Sequence, residues 1–508
     1  MHTDRVKKTV YNSFSNLFIS LTLTVISFIS RSIFINVLGE QMLGVEGLFT
    51  NILTLLSLAE LGFSSAISFC LYSPLANNDK RQIGLIMNYF KKVYSKIGIV
   101  IFCIGLLLMP FISLIVKGYT GNYNLYIIFF IYLINTSLSY FTSYNSTLLE
   151  ADQKAYKITH LKFIFNFLVY GSQIIVILFT KNFILYLLML LIFRQIERIV
   201  TYKYIKKMYM TRYIETDESI SDETKNRINK NIKGILFHRV GEFAVNGTDN
   251  ILISSIINIS TTGLYANYLS IISIIKTLCS SIITSATSTF GNVNIKESPS
   301  TKKDVFNVLN FVSCFIIGFS IICFFFIVND FINIWLGSSF VLNYYSVLII
   351  TINIYLACVV LPVDVVKNST GLYYIDRYVG IIQAIINLSV SIALGLIIGL
   401  NGILIGTAVS YLCTVSWSKA FVVYKHVFES SFTEYIKNFI KNIIIILITC
   451  LISSLLFNLF VIKSMVVIII IKILIISIIY STIYIIFNIN NSSLKYIISI
   501  LKNRKSEV

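Results

Sequence analysis

Arg31, Glu46, Glu60, Arg239, Glu242, Asp249, Lys276 and Asp364 are ionisable residues set within long apolar runs of a 508-residue chain. A charge placed there costs roughly 3 kcal/mol on insertion scales, so such residues turn toward a bundle interior, an ion path or a wet cavity. Their spacing shows which helix faces they share. Asn16, Ser20, Thr24, Ser27 and Arg31 form one stripe at helical period, and Glu46, Thr50, Ser57, Glu60 and Ser64 form a second. Arg239, Glu242, Asn246 and Asp249 form a third, with Gly241 and Gly247 leaving room beside it. Asp364 with Pro362 marks a similar place further on. Three helices thus present polar seams to something other than lipid. For Glu60 and Lys276 two readings stay open: cavity lining, or an ion pair or separate snorkelling near the helix ends. Arg194, Glu197 and Arg198 read as interfacial, His238 as a packed neighbour of Arg239, and Lys472 as snorkelling outward or packing on a neighbour.

Other chemistry has little to work with. The chain holds four His, its eight Cys stand singly, and no GxxxxGK[ST] phosphate loop occurs, so no catalytic residue, cofactor or metal is expected. The aromatic content, 31 Tyr and 38 Phe, reads mainly as core and interfacial belt, with some Tyr able to stack on sugar rings.

The elements that must carry these seams follow from composition. Hydrophobic residues make up 56% of the chain, charged residues 13%, and the mean hydropathy is +0.81. A soluble domain carries about 25% charged residues, so the solvent here is lipid. Runs of about 20 apolar residues, enough for a helix to cross the hydrocarbon, number roughly fourteen. They lie near 12–35, 42–72, 93–116, 124–146, 159–180, 182–202, 234–257, 262–290, 305–328, 342–366, 378–399, 402–424, 441–461 and 465–488. None alternates as a barrel strand would. The expected fold is therefore an all-α polytopic membrane protein. Of the 41 Lys and Arg, 32 fall on one set of connections and three (Lys117, Lys181 and Lys463) on the other. Retention of positive loops in the cytoplasm then puts both termini inside. The net charge of +18 is spread over these short loops, which implies anionic membrane lipids as neighbours and excludes nucleic acid as the reason for it. The loops leave no space for a folded soluble domain.

An internal repeat is visible at an offset of 216 residues. Gly47-Leu48-Phe49-Thr50-Asn51 matches Gly263-Leu264-Tyr265-Ala266-Asn267, and the same shift carries Glu60 onto Lys276. Six spans separate the two copies, so the expected halves are parallel repeats. The expected organisation is a six-helix lobe over 1–202, a cytoplasmic loop over 203–233, a second six-helix lobe over 234–424, an extra C-terminal helix pair over 425–488 and a cytoplasmic tail over 489–508.

The stretch Val37-Leu38-Gly39-Glu40 through Leu43-Gly44-Val45-Glu46-Gly47-Leu48-Phe49, with Leu58-Ala59-Glu60-Leu61-Gly62, Ala66-Ile67, Leu71-Tyr72-Ser73-Pro74-Leu75-Ala76 and Tyr94, resembles the N-terminal signature of bacterial polysaccharide flippases. These are the O-antigen and capsule members of the multidrug/oligosaccharidyl-lipid/polysaccharide exporter superfamily. The resemblance extends to twelve core spans, two extra C-terminal spans and both ends inside. It implies a flippase of the bacterial inner membrane that carries undecaprenyl-diphosphate-linked oligosaccharide units to the outer leaflet by alternating access. It further implies Arg31, Arg239 and Lys276 as partners of the diphosphate. Glu46, Glu60, Glu242, Asn246, Asp249 and Asp364 would line the cavity or hold a coupling H⁺ or Na⁺. Polysaccharide polymerase and chain-length proteins are partners implied by the pathway. Two rivals stand beside this reading: a cation-coupled drug exporter of the same superfamily, and a membrane polymerase or glycosyltransferase, whose expected charged outside loops this chain lacks.

Overall fold

The computed structural model describes residues 2–57, 70–71, 74–75, 77–152, 156–209, 220, 247–370, 372, 375–458 and 464–505. Every regular element among the described residues is helical, and eleven of the described segments are long and apolar enough to cross a membrane. One of these, Thr22–Leu56, takes in parts of two of the expected spans, 12–35 and 42–72, while the charged helix Phe183–Tyr209 and the short Thr248–Leu252 fall in the places of two more. Large apolar side chains point outward, among them Leu107 at 71%, Ile397 at 76% and Phe179 at 85% exposure. Such a surface suits hydrocarbon and not water. The chain is an all-α polytopic membrane protein. It divides into two compact units, Met1–Gly263 and Leu264–Val508. Most of the connection expected over 203–233 lies outside the described residues.

The first unit contains α1 (His2–Leu56), α2 (Lys80–Leu108), α3 (Leu125–Ala151), α4 (Tyr156–Thr180), α5 (Phe183–Tyr209), the single turn α6 (Thr248–Leu252) and the start of α7 (Ile259–Thr284). Helix α1 is broken into two arms at Gly39, whose φ of 82° and ψ of 176° are open to glycine and forbidden to other residues. Helix starts are capped by short polar side chains: Asp79 accepts from the Gln82 N–H at 2.9 Å and Asn258 from the Thr261 N–H at 2.8 Å. The second arm of α1 meets the start of α7 backbone to backbone. A Cβ added to Gly44 would stand 2.2 Å from the Ile259 carbonyl oxygen, and one added to Gly263 would stand 2.1 Å from that of Glu40. Small residues are what permit two membrane helices to approach so closely.

The second unit continues with α8 (Thr287–Lys296), α9 (Pro299–Leu336), α10 (Tyr344–Cys358), α11 (Leu361–Thr370), α12 (Val379–Ile398), α13 (Leu400–Cys413), α14 (Val415–His426), α15 (Thr433–Phe457), α16 (Met465–Phe487) and α17 (Ser492–Lys505). The runs expected as single spans over 262–290, 342–366 and 402–424 are each interrupted, at 285–286, 359–360 and Thr414. Pro362 sits in the first turn of α11, where its missing N–H costs no helical bond. Thr414 leaves the helical region with φ −131° and ψ −91°. Hydropathy reports how much chain the membrane holds and is blind to these breaks.

The C-terminal hairpin, α15 and α16, packs on α9. Ile445, Ile476, Tyr480 and Tyr484 bury against Cys314 and Ile322, and the Tyr480 and Tyr484 hydroxyls donate to the carbonyls of Cys314 and Phe311 at 3.0 and 2.7 Å. Gly318 makes room, since a Cβ there would lie 2.1 Å from the Tyr480 hydroxyl. Lys472, expected either to snorkel or to pack, reaches Asp330 at 2.5 Å and the Phe326 carbonyl at 3.1 Å on α9.

These close approaches give a direct test. Gly44→Val and Gly263→Val are expected to lower the thermal midpoint of the detergent-solubilised protein, at a cost of roughly 1–3 kcal/mol of overpacking. Gly171→Val, at a position where a Cβ meets nothing within 4 Å, is the control expected to leave the midpoint unchanged.

Candidate functional site

Arg31 and Glu46 stand on the two arms of α1, on either side of the Gly39 break, and each feels the other's charge. Three phenols from three other helices gather round them. Tyr132 of α3 faces the Glu46 carboxylate, Tyr186 of α5 lies within the fields of Glu46 and Arg31, and Tyr170 of α4 senses Glu46 and Arg194. Ser30, beside Arg31, faces the Tyr186 hydroxyl. Arg31, Glu46 and Tyr170 are half-buried, whereas Tyr132 and Tyr186 are buried.

The same local pattern holds both charges in place. One turn beyond Arg31, the fully buried Phe34 packs edge-on against Tyr186 and Phe183, with ring centroids 5.1 and 5.6 Å away. One turn beyond Glu46, the fully buried Phe49 packs edge-on against Tyr132 and Phe129, at 6.4 and 5.2 Å. Each charge is therefore followed at i+3 by a phenylalanine that fixes the tyrosine facing that charge. Edge-to-face pairs of this kind add about 0.5–1.5 kcal/mol beyond burial.

Further along α5, Arg194 donates to Glu197 at 2.6 Å and to Asn166 of α4 at 2.7 Å. Arg198 lies in the field of both Arg194 and Glu197. The group expected at the interface is thus tied to α4 as well as to its own helix. Arg31, Glu46, the phenols and the Arg194 group make a chain of donors and acceptors inside the first unit. A guanidinium and phenols can bind phosphate oxygens or sugar hydroxyls, and a carboxylate among them can take up a proton or a small cation.

The remaining expected residues fall elsewhere. Asp249 is buried in α6. Lys276, on the part of α7 within the second unit, faces the Cys358 thiol of α10. Asp364 of α11 accepts from Lys419 of α14 through both carboxylate oxygens, at 2.7 and 3.0 Å. On the same helix Lys367 pairs with Asp376, with side chains only 4% and 5% exposed, and its charge also feels Asp364 and Lys419. Four charges of alternating sign therefore bind α11, α14 and the 375–378 turn together. Glu60, Arg239, Glu242 and Asn246 lie outside the described residues. Sequence reasoning missed the three tyrosines and the partners Lys419 and Asp376. The Arg31/Phe34 and Glu46/Phe49 spacing was a signal for the tyrosines, while nothing local marks a partner 55 residues away.

Comparison with known proteins follows from this geometry. No family model matches the chain, and no curated protein matches it by sequence. Among solved structures, the lipid II flippase MurJ in an inward closed conformation superposes with a TM-score of 0.69 at 13% identity, covering 95% of this chain and 99% of its own. An inward-facing multidrug resistance MATE family transporter of the MOP superfamily gives 0.55 at 13% identity, covering 77% of this chain and 92% of its own. The Vibrio cholerae MATE transporter VcmN also gives 0.55 at 13% identity, with 84% and 98% covered. The chain has the fold shared by these solved structures.

The Lys367–Asp376 pair is almost wholly enclosed, and its loss should be asymmetric. Lys367→Met alone is expected to destabilise the second unit by about 3–5 kcal/mol, because it strands a buried carboxylate, while Lys367→Met with Asp376→Leu recovers most of that loss. Thermal midpoints of the two variants in one detergent check it.

Proposed function

We propose that this chain is a flippase that moves undecaprenyl-diphosphate-linked oligosaccharide units from the cytoplasmic to the outer leaflet of the bacterial inner membrane by alternating access. In this reading both termini are cytoplasmic, and H⁺ or Na⁺ drives the cycle. The supporting observation is the extent of the match to the MurJ structure. Coverage of 95% cannot be reached without the C-terminal hairpin, whereas the 77% and 84% covered by the MATE structures can be. MurJ is named for a lipid-linked substrate, and the Arg31 cluster offers this chain the donors that a lipid diphosphate requires. Passage of a large polar headgroup through hydrocarbon leaves its polar groups unsatisfied, which a wet, hydrogen-bonding interior avoids. In the proposed division of labour Arg31, Arg239 and Lys276 meet the diphosphate. Glu46, Glu60, Glu242, Asn246, Asp249 and Asp364 line the path or hold the coupling ion, Asp364 through exchange with Lys419. The polymerase and chain-length proteins act on the product. A second reading, a cation-coupled drug exporter, draws on the MATE superpositions.

The test is leaflet accessibility of a fluorescent undecaprenyl-diphosphate oligosaccharide in proteoliposomes under imposed H⁺ and Na⁺ gradients. The wild type is expected to move the headgroup across. Arg31→Gln is expected to slow it by roughly tenfold or more, the effect of losing a charge-assisted contact worth about 1.5–3 kcal/mol. A headgroup that stays in place under every gradient, with a cationic dye exported instead, would move the assignment to the drug exporter.

A further inference from the structure

We infer that Cys279 and Cys358 are a peroxide-sensitive dithiol of the second unit, which on closing to a disulfide pins two bent spans together and arrests their movement. The eight cysteines stand singly along the chain, and folding brings these two together from distant positions. Cys279 of α7 and Cys358 of α10 hydrogen-bond to each other. Cys279 also donates to the Ser320 hydroxyl of α9 at 3.9 Å, and Ser320 donates to the Ile316 carbonyl at 2.8 Å. With its own S–H engaged there, the Cys279 sulfur accepts from Cys358. Three helices thus converge on one sulfur. Lys276, one turn before Cys279, brings its charge into reach of Cys358. The two cysteines are 1% and 2% exposed. Cys314, by contrast, is held by Asn442 at 3.0 Å, and Cys103 and Cys413 are exposed.

The pair sits where both of its spans bend. Cys279 lies near the end of α7, before the interruption at 285–286, and Cys358 is the last residue of α10, before the interruption at 359–360. Past these two breaks α8 packs against α11, where a Cβ added to Gly291 would lie 4.0 Å from that of Ser369. The dithiol therefore bridges two arms at the bend, and α11 beyond it carries Asp364 and Lys367. Drawing the sulfurs from hydrogen-bond contact to a bond of about 2.05 Å fixes the spacing of the arms where each span passes from one helix to the next. A peroxide oxidises one thiol to a sulfenic acid, breaking the O–O bond and releasing one water. The neighbouring thiol displaces the sulfenic oxygen, forming the S–S bond and releasing a second water, so two thiols are oxidised and one hydrogen peroxide is reduced. Burial shuts out bulky and charged oxidants, while hydrogen peroxide is neutral and little larger than water. Contact between the sulfurs favours condensation over further oxidation. Arrest of transport rests on the alternating-access reading above, whereas formation of the cross-link does not.

The test uses full-length Cys103→Ser/Cys413→Ser protein, which lacks these two exposed thiols, in proteoliposomes treated with hydrogen peroxide. Remaining thiols are blocked in denaturant, and peptides are mapped without reduction. The expected product is a cross-linked peptide joining Cys279 to Cys358, which dithiothreitol separates. Hydrogen exchange across 285–286 and 359–360 is expected to slow in the cross-linked protein, because opening at the bends is restrained. Headgroup transport in the leaflet assay is expected to be lost on oxidation and regained on reduction. Cys279→Ser and Cys358→Ser are each expected to abolish the cross-link and leave transport indifferent to peroxide. Free thiols or sulfinic acids at 279 and 358 after treatment overturn the inference, as does cross-linked protein that exchanges, or transports, as fast as the dithiol form. Inactivation by peroxide that persists in the Ser variants overturns it as well. If the dithiol form moves no headgroup, the flippase reading fails, and the cross-link and the exchange alone decide the pin.

Discussion

Hydrocarbon offers no partner to a charge, and in this protein charges set apart in the sequence are brought onto one another, between helices, across a helix break and onto a turn. Lys472 on α16 finds Asp330 on α9, Asp364 on α11 finds Lys419 on α14, and Lys367 finds Asp376. Arg31 and Glu46 face each other across the break at Gly39. The pairings between helices, Lys472 with Asp330 and Asp364 with Lys419, constrain the rotation of each helix about its axis. Packing between apolar helices in lipid supplies little orientation of its own, because lipid tails are as apolar as leucine.

Shape then does what charge cannot. Gly44 and Gly263 let two backbones touch, and Gly318 receives the Tyr480 hydroxyl. Phe34 and Phe49 turn two isolated charges into the base of a phenolic cluster by holding Tyr186 and Tyr132 beside them. The polar interior of the first unit is built on these few large rings, with little contribution from continuous hydrogen-bonded secondary structure beyond the helices themselves.

Much of the fold was legible in the chain because the membrane imposes a length on every span. The runs expected over 159–180, 378–399 and 465–488 became helices Tyr156–Thr180, Val379–Ile398 and Met465–Phe487. Breaks within a run were less legible. Pro362 announces one, but Thr414 carries no local signal, since its backbone turns in response to what packs around it. At the site, the periodic placement of Arg31 and Glu46 pointed inward, and the structure sets them facing each other. The spacing of Phe34 and Phe49 hints at aromatic partners there, but does not say which of the 31 tyrosines they are. The partners of Asp364 and Lys472 lie 55 and 142 residues away, and proximity created by folding alone leaves no trace in local spacing.

The bond between Lys472 and Asp330 also bears on how the molecule is made. Ribosomes deliver Asp330 well before Lys472, so throughout that interval the carboxylate on α9 has no such counterion and the face receiving Tyr480 and Tyr484 is open to lipid. The unit can close only when the last hairpin is threaded into the bilayer. Until then α9 presents to its surroundings a face shaped for partners that arrive 142 to 173 residues later.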